Sequence, residues 1–398
     1  MTGSIEKRGK GSYRLVVFKG YDLDGKSIRH QKTIHCKNKS EARTELAKYI
    51  AEVENGFIVE GNVPTFKEFV EIWKRDYGQK ELAPSTYYRY LGILESRILP
   101  YFWHFRLNKI RPIDIMQFYN LLEDDTQIVR KKNNNGKKTR KPLSKKTILE
   151  HHRLLHAMLT KAVYWQMIVT NPVDRVQPPK APKPKRECYD EVQTRILIDN
   201  LEKLTGNDVK YKVAVLLDIF IGARLGELAG LEWSDIDLKN GIISINKSSQ
   251  YLSDKGIFTK SPKTESSIRE VAIPDFIVSL LEEYKLWYEE QKSIVGDFWH
   301  DSDRLFVQVD GKPITPSTIS KWFEKFIKQI GLPVITFHGL RHTNATLLIA
   351  QQVDVATVSA RLVHAQITTT YNFYVHPLKS HDKHAGNVLE NLLVTNAH

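Results

Sequence analysis

The chain has 398 residues, 41% of them hydrophobic, with a formal net charge of +13 and a pI of about 9.4. This length predicts two or three domains, and with no apolar run of the ~18 residues a membrane helix needs and no apolar core in MTGSIEKRGKGSYR, it excludes a membrane-spanning or secreted protein and leaves the cytoplasm. The basic excess favours a nucleic-acid partner over a merely basic soluble protein, and the two cysteines, Cys36 and Cys188, exclude a disulfide framework or a cysteine-rich zinc site.

The first elements read as a small sheet with a helix. YRLVVFKGYD is rich in β-branched and aromatic residues, DLDG supplies a turn, and KSIRHQKTI alternates as a second strand. Residues 3–9 can add a third. Asn38 or Ser40 can cap a helix whose apolar face is Ala42, Leu46, Tyr49, Ile50 and Val53. Arg14, Lys19, Arg29 and Lys32 on the strands suit a sheet laid into a DNA groove, and suit a solvated sheet face equally.

The next segment, from about Thr65 to Pro172, is helical. Phe66, Phe69, Val70 and Trp73 form one stripe, Pro84 and Ser85 open a second helix, and further helices follow Arg111-Pro112 and Leu143-Ser144. Between them the stretch Thr126–Lys146 is dense in Lys and Arg and has no acid. Its Lys137, Lys138 and Arg140 belong either to a loop against a phosphate backbone or to an idle solvated one. His151, His152 and His156 lack matching ligands for a metal. VDRVQPPKAPKPKREC then has the composition of an extended, basic spacer.

The last segment mixes helices and strands. VAVLLDIFIGARLGELAGL reads as one helix, GIISINKS as a strand, and IFTKSPKTESSIREVAIP as a hairpin turning near Thr264–Ser267. Helices are expected at DFIVSLLEEYKLWYEEQ, STISKWFEKFIKQIG, GLRHTNATLLIAQQ and VATVSARLV. The fold class is therefore multidomain: a small β-sheet-plus-helix module at 1–60, an all-α bundle at 64–173, a basic Pro-rich linker at 174–188 and a mixed α+β domain at 189–398.

Chemistry-bearing residues gather in that last domain. Arg224 on an apolar segment needs an anionic partner, and Glu227 one turn later makes a structural ion pair as good a reading as a functional one. His338 and Arg341 are three residues apart and share a helix face. Lys263, His364, Tyr371 and Tyr374 complete the set.

These residues resemble the boxes of the tyrosine recombinase (phage integrase) family, in its three-domain form found in phages and conjugative transposons. Gly222, Arg224, Gly226 and Glu227 match GxRxGE; Lys263 matches the hairpin lysine; His338, Leu340, Arg341 and His342 match HxLRH. His364 matches a later histidine, and the nucleophile ten residues on selects Tyr374 over Tyr371. Val363 stands where that box usually has Gly, and Ile221 where Thr is commoner. The elements occur in family order across the whole chain.

The resemblance implies a site-specific recombinase that integrates and excises a mobile element through a 3′-phosphotyrosyl link, with no cofactor and no metal. It implies catalytic Arg224, Lys263, His338, Arg341, His364 and the nucleophile Tyr374, with Glu227 supporting. It further implies an arm-type DNA-binding module at 1–60 and a core-site DNA-binding domain at 64–173. A homo-tetramer would act on double-stranded attachment sites of core and arm type, with DNA-bending accessory factors and no membrane. The competing readings are a chromosome resolvase, a type IB topoisomerase-like enzyme, or a DNA-binding protein that has lost catalysis.

Overall fold

A computed structural model describes residues 2–21, 25–54, 63–124, 142–182, 187–252, 254–260 and 268–363. The chain divides into two compact units, Met1–Lys183 and Pro184–His398.

The first unit begins with a three-stranded antiparallel sheet of order β1 (Thr2–Gly9), β2 (Ser12–Tyr21) and β3 (Ser27–His35). Helix α1 (Lys39–Glu54) follows, and of the two expected caps Asn38 is used: its Oδ1 accepts from the Glu41 N–H at 2.9 Å. Because side chains alternate along a strand, Leu15 and Val17 of β2 fall on one face, where Tyr49 and Val53 of α1 cover them.

The helical part of this unit runs through α2 (Phe66–Trp73), α3 (Gln79–Glu81), α4 (Pro84–Ile93), α5 (Leu99–Phe102), α6 (Pro112–Asp124) and α7 (Lys145–Tyr164). A capping box between Thr65 and Glu68 starts α2, Pro84 occupies the first turn of α4, and Ser144 caps α7. Wider π turns at Lys74–Gly78 and Leu94–Ile98 continue α2 and α4. Phe66, Phe69, Val70 and Trp73, the expected stripe, are all buried, with Phe102 between Phe66 and Phe118 at ring separations of 5.7 and 5.2 Å. The packed chain runs past the expected edge of the linker. Val173 and Val176 are buried in the helical core, and Asp174 pairs with His156 at 2.8 Å.

The second unit contains α8 (Glu191–Glu202), α9 (Val209–Ile221), α10 (Leu225–Leu228), β4 (Ile236–Asp237), β5 (Ile242–Ile245), β6 (Ser248–Leu252), β7 (Gly256–Lys260), β8 (Arg269–Ala272), α11 (Asp275–Val295), α12 (Pro316–Gln329), α13 (Phe337–Ala350) and α14 (Val355–Leu362). The three-part fold class expected from the sequence is the one formed. Two local readings are corrected. The apolar stretch around Arg224 is not one helix: α9 stops at Gly222, which takes φ 59 and ψ 38, and the chain restarts as α10 with Arg224 at its N-cap.

The second correction concerns strand pairing. The strand before Lys263 does not pair with the strand after it. β7 pairs with β6 around Gly256 (φ 68), whereas β8 pairs with β5 in a separate sheet of order β4-β5-β8. Ile243, Ile245 and Val271 of that sheet join α9, whose Val213, Leu216 and Leu217 lie at the centre of the unit's core.

Candidate active site

The site is built around the last carbonyls of α9, which have no partner within the helix. A helix leaves its last carbonyls without partners, and here side chains from α13 and α14 supply the donors. Asn344 Nδ2 donates to Ile219 O at 2.7 Å and to Phe220 O at 3.1 Å, and Arg361 Nη2 donates to Phe220 O at 3.0 Å. Arg341 Nη1 donates to Gly222 O at 2.6 Å. Glycine is required at 222 on two counts. Its φ is positive, and a Cβ there would lie 2.5 Å from Leu362 Cδ2 and 3.2 Å from Asn344 Oδ1.

Two residues on, Arg224 is clamped by Glu227. The Glu227 carboxylate accepts the Arg224 backbone N–H at 3.0 Å, Arg224 Nη1 at 2.6 Å and Arg269 Nη2 at 2.9 Å. Burial alone would raise the Glu227 carboxyl, but the charge of Arg269 and the N–H groups of Arg224 outweigh it and hold it below the usual carboxylate range. The Arg224 side chain is 44% exposed while those of Glu227 and Arg269 are 10% and 7% exposed, so the fixed guanidinium faces solvent from a buried base.

Arg341 lies deeper. It is 1% exposed, and its Nη2 donates to Leu362 O, while Arg224 Nη2 donates to Val363 O at 3.3 Å. Burial and the neighbouring charges of Arg224 and Arg269 pull the Arg341 guanidinium down to about 10, so it keeps its proton at neutral pH. Asp218, on α9, is fully buried beside this cluster, and no side chain among the described residues hydrogen-bonds its carboxylate. Burial pushes its carboxyl well above the usual range, and the attraction of Arg341 offsets that only in part.

Val363 follows α14 in the left-handed conformation, φ 48 and ψ 60. The position therefore keeps the backbone that glycine adopts without strain, and a β-branched residue bears it. On α13, His338 is exposed and His342 buried, with ring centroids 4.8 Å apart at 83°. His338 and Arg341, expected on one helix face, lie within one turn of α13 but differ in depth, the imidazole exposed and the guanidinium buried.

Of the expected site residues, the fold thus brings Arg224, Glu227 and Arg341 into one cluster with His338 on the same helix as Arg341. Lys263, His364, Tyr371 and Tyr374 lie outside the described residues, as do Lys137, Lys138 and Arg140. On the N-terminal sheet the four basic candidates separate. Arg14 and Arg29 share the face turned away from α1, Arg29 standing opposite Phe18. Lys32 stands opposite Leu15 on the helix-covered face, over the Tyr49 ring at 5.3 Å and 3.5 Å from Glu52. Lys19 sits at an irregularity in register between Phe18 and Gly20. His151 and His152 contact Thr147 O and the Tyr119 hydroxyl, each at 2.8 Å.

Sequence reasoning missed Arg269 and Asp218. The signal for Arg269 was its alternation with Val271: both fall on the buried face of a short strand, where an arginine must serve a carboxylate.

Two family models match the chain, the phage integrase family over residues 188–381 and the phage integrase N-terminal SAM-like domain over residues 65–122. The chain is 29% identical to a tyrosine recombinase XerC-like protein of Caldanaerobacter subterraneus subsp. tengcongensis over 98% of each. It is 25% identical to the ICEBs1 integrase of Bacillus subtilis, over 98% of this chain and 100% of that one. Among solved structures, the Tn1549 transposon integrase in complex with a circular intermediate DNA shares the fold with a TM-score of 0.63 and 19% identity, over 78% of this chain and 95% of that one. A lambda integrase dimer bound to a core site does so with a TM-score of 0.55 and 17% identity, over 93% and 94%.

Proposed function

Because the chain belongs to the phage integrase family of tyrosine recombinases, enzymes that break and rejoin DNA, we propose a division of labour among its site residues. The reaction is attack of a phenol on a DNA phosphodiester. The Tyr374 oxygen bonds to phosphorus, the bond to the 5′-oxygen breaks, and a 3′-phosphotyrosyl link and a free 5′-hydroxyl result. Bond energy is conserved, so a 5′-hydroxyl of a second strand reverses the step and joins new partners.

A phosphodiester carries one negative charge that grows in the pentavalent transition state. Arg224 and Arg341 hold its non-bridging oxygens, the first from solvent and the second from beneath. The observation that carries this reading is the cluster itself. Three guanidiniums, those of Arg224, Arg269 and Arg341, surround Glu227 and a buried Asp218 whose surroundings favour its proton, leaving positive charge in excess. Such a cluster suits an arriving anion. Glu227 orients Arg224 without reacting.

His338 takes the proton of the Tyr374 phenol, a group that ordinarily ionises only near pH ~10, and returns it in the reverse step. Lys263 protonates the departing 5′-oxygen, and His364 donates to the same phosphate. No step needs a metal or a cofactor.

The rest of the chain supplies the DNA grip. Residues 1–60 bind arm-type sites, with Arg14 and Arg29 on the open sheet face. Residues 64–173 bind core-type sites, helped by Lys137, Lys138 and Arg140, and the basic stretch 174–188 joins them to the catalytic domain 189–398. The active assembly is a homo-tetramer on double-stranded attachment sites in the bacterial cytoplasm, with DNA-bending partners. The test is incubation with a nicked suicide duplex carrying the ends of the mobile element. A covalent protein–DNA adduct from the wild type, forming about 10²- to 10³-fold more slowly with Arg224→Ala, is expected; stable binding without any adduct would replace this reading with that of a DNA-binding protein lacking catalysis.

A further inference from the structure

A second group of charges, two buried and two half-buried, lies in the Pro184–His398 unit and takes no part in the roles above. Arg304 is buried; its Nη1 donates to Gly230 O at 2.5 Å and its Nη2 to Thr259 Oγ1, and its Nε lies 3.6 Å from Glu232 Oε1. Glu232 also pairs with Lys247, whose ammonium lies 3.0 Å from Asp235. Two cations thus face two carboxylates. Burying Arg304 and Asp235, with Lys247 and Glu232 only half-buried beside them, is unfavourable enough that apolar residues of similar volume often serve stability as well, so the network speaks for placement more than for stability.

The partners of Arg304 show what it places. Gly230 and Glu232 form the turn that follows α10 and the Arg224 box, while Thr259 lies on β7, four residues before Lys263. The neighbouring strand β6 is drawn against the same turn by close packing. A Cβ on Gly226 would lie 2.6 Å from Ser248 Oγ and 3.0 Å from Ser249 O, and one on Gly230 would lie 3.0 Å from Ser249 N. Glycines therefore hold β6, and the guanidinium fork of Arg304 holds β7.

We infer that Arg304 is a positioning residue for recombination: by gripping Gly230 O and Thr259 Oγ1 together, it sets the strand leading to Lys263 at a fixed distance from the Arg224 box. The inference rests on Lys263 being the proton donor to the 5′-oxygen. A planar fork is required, because a lysine ammonium is a single point of charge and cannot hold both acceptors in the same geometry.

The test uses the full-length chain in single-turnover cleavage of the nicked suicide duplex, with oxygen or sulfur at the bridging 5′ position. Arg304→Lys keeps the charge and loses the fork. Thr259→Val removes only the acceptor, at an exposed residue where the isosteric change leaves folding intact. On the oxygen substrate both variants slow cleavage about 10- to 100-fold, the loss expected when a reacting group is misplaced by about 1 Å. With sulfur, which departs as a thiolate without a proton, the loss shrinks to within about twofold. Lys263→Ala is the reference. If sulfur rescues Lys263→Ala but neither variant, or if both variants cleave the oxygen substrate normally, Arg304 is structural and the inference falls alone. If sulfur fails to rescue Lys263→Ala, the donor assignment falls and takes the inference with it.

Discussion

Arg224 and Arg341 donate to consecutive carbonyls at the end of α14, those of Val363 and Leu362 respectively. The two guanidiniums meet at one place yet differ in depth, and their replacement should separate two effects. Arg224→Ala removes a half-exposed donor; cleavage should fall about 10²- to 10³-fold, as for loss of one transition-state donor, with little change in melting temperature. Arg341→Ala should lose cleavage and also about 2–6 kcal/mol of stability, because the buried carbonyls of Gly222 and Leu362 are left without donors, at about 1–3 kcal/mol each. Cleavage rates and thermal melts on the same preparations check this; equal melting temperatures for the two variants would contradict the depth assignment.

Val363 should be a source of strain. A left-handed residue with a Cβ costs about 1–2 kcal/mol, and glycine gives back about 0.5–1 kcal/mol through the entropy of the unfolded chain. Val363→Gly should therefore stabilise by roughly 0.5–1 kcal/mol in denaturant titration, difference by difference. A destabilised glycine variant would mean that packing of the valine outweighs its backbone.

Asp218 gives a pH signature. Its carboxyl titrates higher in the folded chain than in the unfolded one, so the folded state holds the extra proton. Its contribution to stability is present in full below the unfolded value of ~3.8 and is lost as pH rises through the folded value. Asp218→Asn should remove that slope. The variant should gain on the wild type as pH rises and converge with it towards pH ~4. Thermal melts from pH 4 to 8 measure this, and a variant that loses ground with rising pH would show Asp218 to be a favourably paired anion.

His151 has the opposite sign. Burial pushes its imidazole below the ordinary value, with a hydrogen bond to Thr147 O opposing and the charge of Arg97 adding. The unfolded chain therefore takes up protons first, and stability present above the unfolded value of ~6.5 is lost as pH falls through the folded one. His151→Leu should flatten the acid-side loss in melts between pH 7 and 5. His152, shifted the same way, retains part of the slope.

Local signals made most of the fold legible. The stripe Phe66, Phe69, Val70 and Trp73 and the cap Asn38 act within a few residues of themselves, and each appears where the pattern put it. Strand pairing was harder. Arg269 and Lys260 flank one short segment in sequence, yet they belong to different sheets, because β8 finds its partner in β5 across a separate hairpin. Gly256, with its positive φ, was the available turn signal for that hairpin. Arg224 and Arg341 could be assigned to one cluster from their boxes. The carboxylate that joins Arg224 to Arg269 could be seen only once helix α10 and strand β8 were in place, since 42 residues separate Glu227 from Arg269.

The nucleophile decides the account. The suicide duplex should be incubated with the wild type, Tyr374→Phe and Tyr371→Phe, and the adducted peptide identified by mass spectrometry after proteolysis. DNA should be found on Tyr374, with the adduct abolished in Tyr374→Phe, retained in Tyr371→Phe and DNA binding unchanged in all three. DNA on Tyr371, or an adduct that survives Tyr374→Phe, would contradict the assignment.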